Sequence, residues 1–236
     1  MNHTRHELAP GLHLDARRAA FLEPESVLAV ADLHLGYAWT HRARGQMLPL
    51  SAPDDTIKRL YALLDDYQPK TLALLGDIVH GVVHVEAVRD EVSAILAALG
   101  ARTTLALIAG NHDRHLRQIV AAPLLTEFRP GPHLLLHGDL PDEATAASHL
   151  ANLQAGGGRI FMGHEHPAIS LGDGVAHHVR VPCFLVTDEL VVLPAFSDWA
   201  AGTNVRSRDF LSPLTRRAEP SRAVAILAGK LLPVGF

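Results

Sequence analysis

TLALLGD, residues 71–77, is an apolar run that ends abruptly in a glycine and an acid, and its reading decides the fold. An unbroken apolar run of this length is the mark of a strand covered on both faces, because side chains that alternate across the pleat then all meet apolar neighbours. The same pattern stands on either side: Ser26 to Ala31 runs into Asp32, and Thr103 to Ala109 runs into Gly110-Asn111. Between these runs, Asp54 to Tyr67 places Ile57, Leu60, Leu63 and Leu64 at helical spacing, and Val85 to Leu99 is a second helical pattern. Strand, helix and strand in repetition specify an α/β layered domain, in which ligands gather outside the carboxyl ends of the strands. The polar residues that close each run fall there.

Further on the pattern shortens. Leu134 to Leu136, Arg159 to Met162, Val179 to Val186 broken by Pro182, and Leu190 to Leu193 read as strands, with Gly156-Gly157-Gly158 as a turn. Their close spacing points to antiparallel neighbours, hence a second sheet packed on the first. Ser212 to Ser221, with two prolines and two arginines, reads as the loosest segment. The expectation is one domain over residues 1–236, with 201–236 a basic C-terminal extension or a set of closing strands.

Composition narrows the function classes. A chain of 236 residues, 48% hydrophobic and 19% charged, can bury a sizeable core. It has no apolar run of membrane-spanning length, and Met1 to Leu14 mixes His, Arg and Glu where a signal peptide would be apolar, so a soluble, cytoplasmic protein is expected. Cys183 is the sole cysteine, which excludes an internal disulfide and any zinc site built on cysteine pairs, and leaves its thiol a structural role. The net charge of −4 argues against a surface coated with positive potential for gripping long nucleic acid. That charge is uneven: Arg206, Arg208, Arg216, Arg217, Arg222 and Lys230 face only Asp209 and Glu219 after residue 200, a basic tail that either touches phosphates or is a solvated surface.

The chemistry sits at the strand ends. Asp32 and His34 are two apart, so an extended backbone would point both side chains the same way, toward one metal. Asp77 follows Gly76 and offers two oxygens that can bridge two cations. Gly110-Asn111-His112-Asp113 places a neutral oxygen ligand beside an imidazole, and Asp113 reads as the cap of a helix beginning there. His137 closes a fourth strand, and Gly163-His164-Glu165-His166 closes a fifth with two imidazoles. Each block alone has an ordinary reading as a cap or surface polar residue; the five in succession do not.

This order of blocks, Asp-x-His, Gly-Asp, Gly-Asn-His-Asp, His and Gly-His-x-His, resembles the calcineurin-like metallophosphoesterase superfamily. The resemblance implies a four-layer α/β/β/α sandwich, two packed mixed sheets flanked by helices. It also implies that Asp32, His34, Asp77 and His166 hold one metal and Asp77, Asn111, His137 and His164 the other, with His112 outside the metal shell to touch the substrate phosphate or protonate the leaving oxygen. Two divalent cations against two carboxylates leave a local positive charge suited to phosphate, and such a pair supports in-line attack by a bridging hydroxide. Mixed imidazole, carboxylate and amide ligands suit Mn²⁺, Fe or Zn²⁺ better than Ca²⁺, with Mn²⁺ the expected ion.

Ala31-Asp32-Leu33-His34-Leu35-Gly36, His41-Arg42-Ala43-Arg44-Gly45, Val181-Pro182-Cys183-Phe184 and Leu193-Pro194-Ala195-Phe196 are similar to strings of the bacterial ligase-associated DNA-damage-response phosphodiesterase or endonuclease group. The chain departs from that group at His137-Gly138-Asp139, where His is usually followed by Glu-Pro. His80 stands where many phosphatase members carry an aspartate, as in DNA-repair nucleases of the superfamily. This second resemblance implies a phosphodiester hydrolase acting on single-stranded DNA or RNA in repair, with DNA-repair ligase or helicase partners. His80, Arg42 and Arg44 are its candidate substrate contacts, each with a surface reading beside the functional one. A phosphomonoesterase or small-nucleotide hydrolase, and a noncatalytic scaffold of the same fold, are the rival readings; a dimer remains open. Trp39 and Trp199 read as packing residues with base stacking as the alternative, His84 as a helix start, His177 and His178 as a loop or strand edge, and His3, His6 and His13 as surface residues.

Overall fold

The protein is described by a computed structural model over residues 4–43, 45–47, 52–80, 86–154, 157–172, 178–200, 202–220 and 222–235. The first sheet runs in spatial order β1 (Arg5–Ala9), β2 (Leu12–Asp15), β3 (Ala19–Leu22), β4 (Val27–Val30), β5 (Thr71–Leu75), β6 (Thr104–Ile108) and β7 (Leu124–Leu125). Neighbours pair antiparallel from β1 to β4 and parallel from β4 to β7. Helices α1 (Tyr37–Ala43), α2 (Ala52–Tyr67) and α3 (Glu86–Gly100) make the crossovers between the parallel strands. The second sheet contains β8 (Glu127–Phe128), β9 (Leu134–Leu136), β10 (Ile160–Met162), β11 (Pro167–Gly172), β12 (His178–Val186), β13 (Leu190–Val192), β14 (Thr203–Asn204), β15 (Arg222–Leu227) and β16 (Lys230–Gly235). Its helices are α4 (Glu143–Gln154) and α5 (Pro213–Ala218).

Alternation of side chains across these strands builds four layers. Leu28, Val30, Leu72 and Leu74 point to one core with Leu60 and Leu63 of α2 and Val92 and Leu96 of α3. Their chain neighbours Ala29, Ala73 and Leu75 point the other way, between the sheets, onto Phe161, Phe184, Val191 and Leu193. The outer face of the second sheet, with Leu136, Ile160, Met162, Leu185 and Val192, packs on Ala146 and Leu153 of α4 and Leu214 of α5. An apolar run with no polar interruption is what a strand needs when both faces are inside, so the order α/β/β/α follows from the residues. No helix among the described residues is long and apolar enough to cross a membrane.

Three expectations are corrected. The short strands of the second half are not simply antiparallel neighbours: β10 pairs parallel with both β9 and β13, because α4 carries the chain back between β9 and β10. Pro182 does not break its strand. It sits opposite Ala168 at the last pair with β11, after which Cys183 to Val186 pair with β15, so the residue lacking an N–H falls where β12 changes partner. The segment from Ser212 is ordered rather than loose. The Ser212 hydroxyl accepts from Leu214 N, Pro213 opens α5, and Leu214 is buried, while Ser221 lies outside the described residues.

Candidate metal centre

The parallel strands β4, β5 and β6 end on the same side, and their following loops continue the ladder. His34 N donates to Asp77 O at 2.9 Å, Leu35 N to Ile78 O at 2.8 Å and His80 N to Leu35 O at 2.9 Å. The second sheet joins at the same edge: Ala31 bridges Ala195, Phe196 N donates to Ala31 O at 2.8 Å, and Gly163 N donates to His137 O at 3.0 Å. The carboxyl ends of both sheets therefore meet, and all five sequence blocks come together there. Two glycines allow the approach. A side chain at Gly163 would sit 2.5 Å from Asp32 Oδ2, and one at Gly76 would overlap the His137 ring.

Asp32 and His34 do converge, but not through extended backbone as expected from their spacing. Both take left-handed conformations, φ 55° and 48°, as do Asp77 at 46°, His164 at 68° and His166 at 45°. Non-glycine residues in this region are uncommon and strained, and five of the seven expected ligands occupy it.

Asp32, His34, Asp77 and His166 each place one ligand atom within 4.8 Å of the others. His34 Nε2 and His166 Nε2 stand 3.3 Å apart, and His166 Nε2 is 3.4 Å from Asp32 Oδ1. Asp32 is wholly buried and accepts the His164 amide at 3.1 Å. A second group lies around Asp77 Oδ1. His137 Nε2 is 3.5 Å from Asp77 Oδ1 and 3.2 Å from Asn111 Oδ1, and its ring centroid is 5.0 Å from that of His164. The His137 Nδ1 faces the Leu75 carbonyl at 3.0 Å, so Nδ1 must carry the proton and Nε2 presents its lone pair. In neutral His137 the Nε2 lone pair thus faces two oxygen acceptors, Asn111 Oδ1 and Asp77 Oδ1, the latter also accepting the His112 amide. A cation resolves that arrangement, and the donor set of imidazole, carboxylate and amide fits a divalent one.

Electrostatics agree. Burial pushes His34 down to about 3, against the pull of Asp32, so it is a neutral ligand at physiological pH. Burial and the neighbouring His137 likewise lower His164. Burial alone would raise Asp32, but the hydrogen bond and charge of His166 and the charge of His137 hold it below the ordinary carboxylate value. Burial would lower His137 and His166 as well, but Asp32 and Asp77 outweigh it and raise both, so the two buried carboxylates draw positive charge into the cluster.

Other residues surround the cluster. His112 lies beside it, its Nε2 3.9 Å from Asp77 Oδ2 and its amide donating to Asp77 Oδ1 at 2.9 Å. His80 stacks on it, ring centroids 5.6 Å apart and planes 17° from parallel, and the row continues through His41 and Tyr37 to Trp199. Neither Tyr37 nor His41 is a candidate from sequence, although their spacing of four residues on α1 is the signal that places both rings on one face. Trp39 packs into the core beneath α2 and α3.

Asp113 is not a helix cap, which corrects the sequence expectation. His112 holds the cap position with no side-chain cap bond, and Asp113 opens the short 3-10 turn instead. Its carboxylate reaches back to the amides of Gly110, Val79 and Ile78 at 2.9, 3.0 and 3.2 Å, tying the loop of Asp77 to the loop of Asn111. Burial raises its pKa to about 6 despite these bonds. Glu165, between the two histidines of its block, accepts the amides of Ser212 and Leu211 at 2.7 and 3.0 Å and so anchors His164 and His166 to the C-terminal segment.

Arg42 is exposed on the last turn of α1, one residue after His41. Arg44, His84, His177 and His3 lie outside the described residues; His6 and His13 are half-buried, His13 against Glu23 at 3.2 Å, and His178 is exposed at the start of β12.

The fold is shared with a nuclease MPE from Pseudomonas putida, whose crystal structure is 24% identical, covers 99% of this chain and 100% of its own, and superposes with a TM-score of 0.68. Yfce, a phosphoesterase from E. coli, is 13% identical over 89% of this chain and 98% of its own, with a TM-score of 0.44. No curated protein matches the chain. Residues 26–173, which contain every block of the cluster, match the model of the calcineurin-like phosphoesterases. With more than half its length in that match, the chain belongs to the calcineurin-like phosphoesterase family and is a metal-dependent phosphoesterase.

Proposed function

We propose that this phosphoesterase hydrolyses phosphodiesters with two divalent cations, that its substrates are DNA or RNA strands, and that it serves DNA repair. The observation that carries the reading is the position of Asp77 between two groups of lone-pair donors, one with Asp32, His34 and His166, the other with Asn111 and His137. The first group would hold one cation; the second, completed by His164, would hold the other. Mn²⁺ is the ion we expect, with Fe or Zn²⁺ as alternatives. When bound, such cations neutralise phosphate charge and make water a nucleophile at neutral pH.

The protein's own residues do the rest. The Leu75 carbonyl fixes the His137 tautomer, and Asp113 and Glu165 hold the ligand loops. His112, half-exposed at the edge of the cluster, would give a proton from its imidazole to the leaving oxygen, a role its position 3.9 Å from Asp77 Oδ2 supports. His80, stacked on His112, contacts the scissile phosphate or its nucleotide. Arg42 and Arg44 are assigned to phosphates of the strand. The whole chain would act as one domain in the cytoplasm, with repair ligases or helicases as partners; that the P. putida neighbour is a nuclease makes DNA the first polymer to test.

The test compares bis-p-nitrophenyl phosphate, p-nitrophenyl phosphate and single-stranded DNA, each with and without Mn²⁺, for the wild type, Asp77→Ala, His112→Ala and His80→Ala. Metal-dependent turnover of the diester and the strand, lost in Asp77→Ala and reduced about 100-fold or more in His112→Ala, is expected. Turnover of the monoester alone would overturn the diesterase reading, and full activity in His80→Ala would remove that residue from the site.

A further inference from the structure

A cavity of about 180 Å³ opens against His166, and neither the metal cluster nor the residues assigned to its chemistry fill it. Small residues leave the room: Ala168, Ala195 and Gly202 line it, and a side chain on Gly202 would lie 2.7 Å from the Ala168 Cβ. Two arginines line it as well, Arg18 and Arg180.

Arg18 is immobilised there. Its Nη1 donates to the carbonyls of Ala195 and Ser197 at 3.1 and 2.9 Å, and its Nη2 is 2.7 Å from Asp198. Asp198 is shared, because Arg59 reaches it at 3.2 Å. One carboxylate therefore serves two guanidinium groups, and one positive charge is left over; burial and the proximity of Arg59 hold Arg18 below its usual value. Arg180, exposed on β12 opposite Ser170 of β11, adds a second. Among the described residues, Asp198 is the one carboxylate lining the cavity.

We propose that this cavity is a subsite for a phosphate of the substrate strand adjacent to the scissile one, contacted by Arg180 over a floor of fixed positive charge from Arg18. The inference rests on the diesterase reading and adds the strand to it. The volume is below the roughly 300 Å³ at which whole-ligand pockets begin, so the cavity takes part of a ligand whose remainder lies elsewhere. Its shared wall, His166, places that remainder at the metal cluster. A guanidinium fork matches phosphate oxygens, and an excess of cations over carboxylates in the described lining selects an anion.

A contact remote from the bond that breaks contributes to binding of substrate and transition state alike, so its loss raises KM and leaves kcat unchanged. Arg180→Ala is expected to raise KM about tenfold for a single-stranded oligonucleotide, with less than about a twofold change for bis-p-nitrophenyl phosphate, which has one phosphate only. Arg180→Lys should recover part of the loss. Independently of turnover, fluorescence anisotropy with a labelled phosphorothioate oligonucleotide should show the salt slope of binding fall by about one charge in Arg180→Ala. Equal losses on both substrates, or an unchanged KM and salt slope for the oligonucleotide, would overturn the subsite. A wild type without metal-dependent diesterase activity would instead remove the reading beneath it, a result obtained before any variant is made.

Discussion

Removing the Asp113 carboxylate should destabilise the whole chain and loosen both ligand loops at once. In Asp113→Ala the amides of Ile78, Val79 and Gly110 lose their acceptor, and Asp113 together with Ile78 and Val79 is inside the protein, where water cannot replace it. An unsatisfied buried donor costs about 1–3 kcal/mol. With two amides fully buried and the third half-exposed, the expected loss is about 4 kcal/mol, a fall in melting temperature of roughly 8–16 °C for a chain of this size. Asp113→Asn keeps the shape and one oxygen but turns an NH₂ toward the amides, and about 2 kcal/mol is expected. Urea unfolding at pH 7 measures both, with an unchanged m-value showing that the native fold is being compared. Because the loops of Asp77 and Asn111 are the ones untied, affinity for Mn²⁺ by calorimetry should fall about 10- to 100-fold, as for other residues that orient metal ligands. Asp113→Ala within about 1 kcal/mol of wild type would refute the reasoning, since that is the loss expected of an ordinary cap.

Asp15 supplies a pH dependence far from the site. It is buried and accepts Arg17 Nη2 at 2.7 Å and Tyr67 Oη–H at 2.9 Å; burial would raise its pKa, but the bonds and charge of Arg17 outweigh it and hold it low. A carboxylate with a depressed folded-state pKa contributes stability above its unfolded value and loses it as pH falls through the folded one. The gap in urea stability between wild type and Asp15→Asn should therefore be full at pH 7 and close as pH drops below about 4. A gap constant down to pH 2 would contradict this. Chelation of metal should lower the unfolding free energy by about 2.7 kcal/mol where the free ion had stood at a hundred times its dissociation constant; an unchanged transition in Asp77-intact protein would count against the cation site. Burial pushes Cys183 up to about 12, so an aromatic disulfide reagent at pH 8 should leave the native thiol unmodified and react only after unfolding.

The parallel strands β4, β5 and β6 are legible in the sequence because a doubly covered strand is an apolar run, and each ends at a residue whose chemistry marks it. The same signal finds β9 and β10. By contrast, β1 and β2 are hidden among the His, Arg, Glu and Asp of the N-terminus, although buried Leu12 and Leu14 flanking half-buried His13 show the alternation of a half-covered strand. The residues proposed as ligands are marked in the sequence by residue type and order. Their geometry is not, because the expected extended Asp32-x-His34 is a pair of left-handed residues imposed by contacts with Gly76, Asp77 and His164. Roles that depend on partners distant in sequence, such as Asp113 on Ile78, Glu165 on Ser212 and Trp199 on Tyr37, leave no local trace.

The left-handed ligands also say how the site is held. At about 1–3 kcal/mol each, five such residues cost on the order of 5–15 kcal/mol, as much as the whole net stability of a typical domain. Strain of that size persists only where the surroundings leave the loops no alternative. Here the alternatives are closed by bonds that do not use the ligand side-chain atoms: the backbone ladder from His34 N to Asp77 O, the Asp113 carboxylate across two loops, and the Glu165 carboxylate across to the C-terminal segment. Each of those acceptors is buried or backbone, so none is free to exchange with water. The cores above and below the two sheets therefore sustain the conformation of Asp32, His34, Asp77, His164 and His166, and under the proposed function an entering cation would find these side chains already turned inward. Organisation before binding means that little ordering has to be done when the ions arrive, and it explains why carboxylates far from any ligand role, in Asp113 and Glu165, are buried at the cost of desolvation.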